Sequence, residues 1–158
     1  MTKLQRWFVR LTFWGFFIFA AVDLHGAFHF LLLNSILAYV PIELSFWLTP
    51  RRSPLLFWLI AVIWLLFYPN APYLMTDLFH LSLLKPYGIN GLLRFDLPMW
   101  RDFAYLVGPM MVSTIIGTWG VDRIAQQLTQ RLHFQRLPAS RGIICAALFL
   151  FASVGVYV

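Results

Sequence analysis

The chain has 158 residues, of which 61% are hydrophobic and 11% charged, with a formal net charge of +6. Soluble domains carry about 45–50% apolar and about 25% charged residues, so this composition excludes a water-soluble core and makes lipid the main solvent. The one cysteine, Cys145, sits inside an apolar run, which excludes a disulfide framework and a Cys-based zinc site. The basic residues stand at the ends of apolar runs, as membrane topology requires, so no nucleic-acid partner is implied.

The expected fold is an all-α polytopic transmembrane bundle forming a single integral membrane domain over 1–158. A crossing needs about 20 apolar residues, within a range of about 17–25. The gaps between charged residues predict about five spans, near 7–23, 26–48, 54–69, 103–121 and 141–158. The first run is the shortest and resembles a signal peptide in length. Phe19, however, stands where a cleavage site needs a small residue, so an uncleaved helix is expected.

Ahead of the second span, His25 and His29 are spaced i, i+4, which presents two ring nitrogens to one divalent metal. Two hydrated interfacial histidines give the same spacing. Within that span Asn34, Ala38 and Pro41 share a helix face, so Asn34 is expected to hydrogen-bond a neighbouring helix near a proline kink. Glu43 is expected to reach Arg51 or Arg52 at the helix end.

The third span ends in FYPNAPYLMTDLFH, residues 67–80. Pro69 removes a backbone donor, and Pro72 is expected to push Ala71 out of the helical region. A new outer helix is then predicted over 73–84. At a period of 3.6, Tyr73, Thr76, Asp77 and His80 form one polar stripe. Such a stripe faces either water or a site. A carboxylate in a bilayer needs water, a cavity or a partner, because insertion at mid-membrane costs about 2.5–3.5 kcal/mol.

Residues 85–99 are rich in Gly and Pro and read as an outer loop, followed by Trp100, Arg101 and Asp102. In the fourth span Ser113 and Gly117 make a small-xxx-small pair suited to close helix packing. From Val121 to Gln135 the apolar and polar residues divide into two helical faces, which predicts a helix lying on the membrane surface. No internal repeat is evident, which disfavours a duplicated transporter fold.

Lys3, Arg6, Arg10, Arg51, Arg52, Arg123, Arg131, Arg136 and Arg141 fall on one side of these spans, and Lys85, Arg94 and Arg101 on the other. The positive-inside rule therefore places the N-terminus in the cytoplasm. Asp23, Asp77, His80, His25, His29, Asp96 and Asp102 then gather at the extracytoplasmic face.

The chain resembles a group of small bacterial multi-pass membrane proteins classed only as a domain of unknown function. The resemblance rests on N-x-x-L-A-x-x-P at Asn34–Pro41, F-Y-P-N-A-P-Y-x-x-T-D-x-x-H-L at Phe67–Leu81, and W-x-D at Trp100–Asp102. It implies a bacterial cytoplasmic membrane location. It also implies that Asn34, Asn70, Tyr73, Thr76, Asp77, His80, Trp100 and Asp102 belong together. Members of that group continue past the last apolar run, so the resemblance implies a C-terminally shortened form here.

Three functions fit these features. One is a membrane enzyme in which Asp77 or Asp102 binds a metal or acts as base and His80 is ligand or acid, working on a lipid head group. No G-x-S-x-G or other nucleophile motif accompanies it. Another is a non-catalytic subunit that binds a membrane protein partner or a second copy. A small carrier using the broken helix is the third.

Overall fold

The computed structural model describes residues 2–23, 30–94, 96–132 and 140–157. His25, His29 and His133 lie outside the described residues. The described elements are helical: α1 (Lys3–Asp23), α2 (Phe30–Trp47), α3 (Pro54–Phe67), α4 (Asn70–Tyr73), a 3₁₀ helix (Leu74–Leu84), α5 (Leu97–Arg131) and α6 (Ser140–Tyr157). Three helical stretches are long and apolar enough to cross a membrane: Phe30–Trp47, Pro54–Leu84 and Leu97–Arg131.

α2 and α5 form the centre, and the other helices pack around them. The two run in the same direction. Ala38 meets Met110 in one buried cluster, Pro41 and Gly117 border one junction, and Ser45 faces Gly120. This register depends on small residues along α5. A Cβ added at Gly117 would stand 3.1 Å from the Ala71 Cβ, so the backbones of α4 and α5 are close because neither residue carries bulk. Ser113 and Gly117 are both fully or nearly covered, in keeping with the packing role expected for that pair.

The region of the two prolines does not behave as expected. Ala71 lies inside α4, and Tyr68, Pro69, Tyr73 and Leu74 all keep right-handed helical dihedrals. The chain changes pitch instead of turning away. Tyr68 O would ordinarily accept from residue 72, but Pro72 has no N–H. It accepts from Ala71 N at 3.0 Å, a bond three residues long. Phe67 O, left without its usual partner, is satisfied by Asn70 Nδ2 at 3.0 Å. From Leu74 the tighter winding persists for 11 residues, well beyond the usual 3–4. Thr76 and Ser82 each donate a side-chain hydrogen bond to the carbonyl three residues earlier, and His80 Nδ1 pairs with Asp77 O in the same pattern.

The helix ends at Lys85, in the left-handed region at φ 45°. A small hairpin follows, with Gly88 N and Leu92 O bonded at 2.9 Å and Gly91 at φ 72°. Asp96 then caps α5 by accepting from Met99 N at 3.1 Å, with Pro98 in the first turn.

A separate surface helix after Val121 is not found. α5 continues to Arg131 without interruption, Val121 and Ile124 pack against α3 and α6, and Ala125 is buried beside them. The apolar face of the segment met protein, and a two-faced pattern alone does not separate that outcome from a membrane surface. Glu43 also differs from expectation. Its partner is Arg10 of α1, bound through Nε at 3.0 Å and Nη2 at 2.5 Å, with Tyr39 and Trp47 donating at 2.8 Å each. The arginines past α2 serve carbonyls at its C-terminal end and in the turn after it instead: Arg123 Nε reaches Ser45 O, Arg52 Nε reaches Trp47 O, and Arg131 Nη1 reaches Pro50 O.

The close approach at Gly117 makes a direct prediction. Gly117→Leu should lower stability by about 1–3 kcal/mol through overpacking against Ala71. Thermal unfolding in detergent checks this, and an unchanged midpoint would show that α4 does not rest on α5.

Candidate functional site

Asp77 is the most buried charged side chain among the described residues, at 2% exposure. The 3₁₀ winding puts it there. At three residues per turn, Leu74, Asp77 and His80 line one face, and Leu74 is fully buried on it. Tyr73 and Phe79 fall on another face and are exposed, Phe79 at 83%. The single stripe expected at a period of 3.6 is therefore split: Asp77 and His80 turn inward, while Tyr73 and Thr76 do not accompany them.

Asn34 of α2 meets Asp77. Its Nδ2 lies 3.1 Å from Oδ1 and 3.1 Å from Oδ2. This is the interhelical hydrogen bond expected of Asn34, and it joins residues 43 apart in sequence. Ala38, one turn further along α2, packs with Leu74 and Met110 beneath the pair. His80 is half-buried, and its ring lies against Phe30 with centroids 4.3 Å apart. The α2 start, the 3₁₀ helix and α5 thus enclose one polar group among apolar neighbours.

The remaining sequence-predicted residues separate into other roles. Asn70 supports the pitch change through Phe67 O. Thr76 bonds back to Tyr73 O at 2.7 Å. Trp100 is exposed and packs edge-on against Phe103 at 5.8 Å. Asp102 pairs with Arg101 at 3.3 Å rather than with Asp77 or His80. Among the described residues no three His, Cys, Asp or Glu side chains gather as metal ligands. Asp77 and His80 supply two donors on one face, and His25 and His29 lie outside the described residues.

Sequence reasoning missed two charged contacts. The Arg10–Glu43 pair ties α1 to α2, and Arg141 Nε with Asp122 Oδ1 at 2.8 Å ties α6 to α5. Neither has a local signal, because each joins separate elements whose register must be known first.

The helical stretches able to cross a bilayer, with a carboxylate buried among them, define a membrane protein of multiple helices. The chain belongs to the family described as protein of unknown function (DUF1361), whose model matches residues 33–158. The match spans Asn34, the two prolines and Asp77, and begins after α1. Searches of curated proteins and of solved structures found no match.

The Asn34–Asp77 contact has a measurable consequence. Asn34→Leu alone strands a buried carboxylate and should cost about 1–3 kcal/mol. Adding Asp77→Leu removes both polar partners and should recover most of that loss. A double-mutant cycle from unfolding in detergent reads the coupling; additive losses would mean that the two side chains do not interact.

Proposed function

We propose that this membrane protein binds a cationic ligand, a divalent metal in the first instance, at a site centred on Asp77 and His80 and held in place by Asn34. The observation that carries the reading is a buried carboxylate without a cation: no Lys or Arg pairs with Asp77 among the described residues. An ionised carboxylate accepts about four hydrogen bonds or ligand contacts, and one amide group leaves much of that capacity unused. Acids kept inside membrane bundles mark functional sites, since lipid makes them costly.

In this proposal the chain crosses the membrane about five times, α1 and α6 included, with its N-terminus in the cytoplasm. The site then opens to the extracytoplasmic side of a bacterial cytoplasmic membrane. Asp77 is the anionic ligand and His80 the neutral one. His25 and His29, from the segment before α2, are proposed to complete the set, and zinc or manganese suits such mixed nitrogen and oxygen donors. An amine-bearing lipid head group meets the same carboxylate. In a catalytic version Asp77 is also the base and His80 the acid, with Asp102, Tyr73, Thr76 and Trp100 bordering the substrate.

A second reading is a non-catalytic subunit. It is favoured by exposed Phe79, Tyr87, Ile89 and Leu92 on the 3₁₀ helix and hairpin, which give a partner protein an apolar face.

Calorimetric titration of the purified protein with Zn²⁺ and Mn²⁺ tests the first reading. The wild type should bind one ion, and Asp77→Asn or His80→Ala should weaken binding at least about ten-fold, the effect of losing about 1.4 kcal/mol. Equal binding by all three proteins, or none by the wild type, would remove the metal reading. A stoichiometric partner that co-purifies, and is lost on replacing Phe79 by Ser, would favour the subunit.

A further inference from the structure

We infer that the opposite end of the bundle, between α1 and α5, holds an anionic phospholipid, with Arg6 and Arg123 on its phosphate and an apolar groove around an acyl chain. The groove has a volume of about 700 Å³ and is lined by Leu4, Phe8 and Val9 of α1 and by Ile115, Ile116 and Trp119 of α5, with Gln5 the one polar side chain. Its floor is continuous with the core, because Val9, Ile116 and Trp119 pack with Ile42 and Phe46 of α2. Leu4, Phe8 and Ile115 are largely exposed. A hydrocarbon chain fits such a lining, and a polar ligand does not.

The charge beside the groove selects the head group. Arg6 follows Gln5 on α1. Arg123 lies one turn beyond Trp119, with its guanidinium carbon 5.8 Å from that ring. Both arginines thus flank the same groove, Arg6 next to its lining residue Gln5 and Arg123 over its lining residue Trp119. Five of the six acids are engaged elsewhere: Glu43 by Arg10, Asp77 by Asn34, Asp96 by Arg94, Asp102 by Arg101 and Asp122 by Arg141, while Asp23 ends α1 at the far side of the bundle from Arg6. Arg123 spends its Nε on Ser45 O. Arg6 Nε is buried and has no hydrogen-bond acceptor among the described residues. Two cations thus border one groove, and one of them carries a covered and unused donor. A phosphate diester supplies acceptor oxygens for both, and the attached chain enters the groove. Basic pockets between membrane helices take anionic lipids in this way. This site shares no residue with the Asp77 centre and stands independently of it.

The test uses the full chain in nanodiscs of phosphatidylcholine. Phosphatidylglycerol with brominated acyl chains is added, and the quenching of the fluorescence component lost in Trp119→Phe is followed. The bromolipid should quench at a mole fraction at least about five-fold below that of brominated phosphatidylcholine, the effect of about one basic residue at an anionic surface. Arg6→Gln should remove most of this preference while Arg6→Lys retains it. Arg6 Nε makes no internal bond, so the thermal midpoint of Arg6→Gln serves as the folding control. Equal quenching by both lipids, or an unchanged preference in a folded Arg6→Gln protein, would overturn the inference.

Discussion

A carboxylate in the interior of a membrane protein constrains everything around it. Asp77 is held by a single amide group from a helix far away in sequence, and the bundle is arranged so that the two meet. α2 must bring Asn34 to the right depth, α5 must pass close by, and the 3₁₀ helix must point Asp77 inward. Lipid offers no hydrogen bond to a misplaced acid, so errors in any of the three would be felt at this one contact.

The proline pair is the device that meets this demand. With Pro72 unable to donate, Tyr68 O takes the N–H of Ala71, and a shorter hydrogen-bonding step begins. Once the helix has three residues per turn, Leu74, Asp77 and His80 share a face. Ala71 between the prolines must be small because Gly117 lies against it. Asn70 supplies the donor that the pitch change withholds from Phe67 O. Asn70, Ala71 and Pro72 thereby each have a separate physical task in setting the helix that carries Asp77.

Much of this was legible in the sequence. Lipid as solvent follows from composition. Asn34 could be expected to bond another helix because an amide on an apolar helix needs a partner. Ser113 and Gly117 read correctly as packing residues. The partner of Asn34 depended on pitch, however, and periodicity at 3.6 grouped Tyr73 and Thr76 with Asp77 when the real period was three. The surface helix after Val121 failed for a related reason: amphipathicity records that one face avoids water, not whether protein or lipid covers it. Glu43 was assigned to arginines nearest in sequence, whereas Arg10 lies across the interface between α1 and α2. Contacts between elements are set by register, which a single sequence does not carry.

The central claim is that the 3₁₀ winding aims Asp77, and not its neighbour Thr76, at Asn34. Short bifunctional thiol cross-linking measures this directly, in a Cys145→Ala background with cysteine at 34 and at 76 or 77. The pair 34/77 should cross-link rapidly and the pair 34/76 slowly. Comparable rates, or faster linkage through 76, would contradict the account.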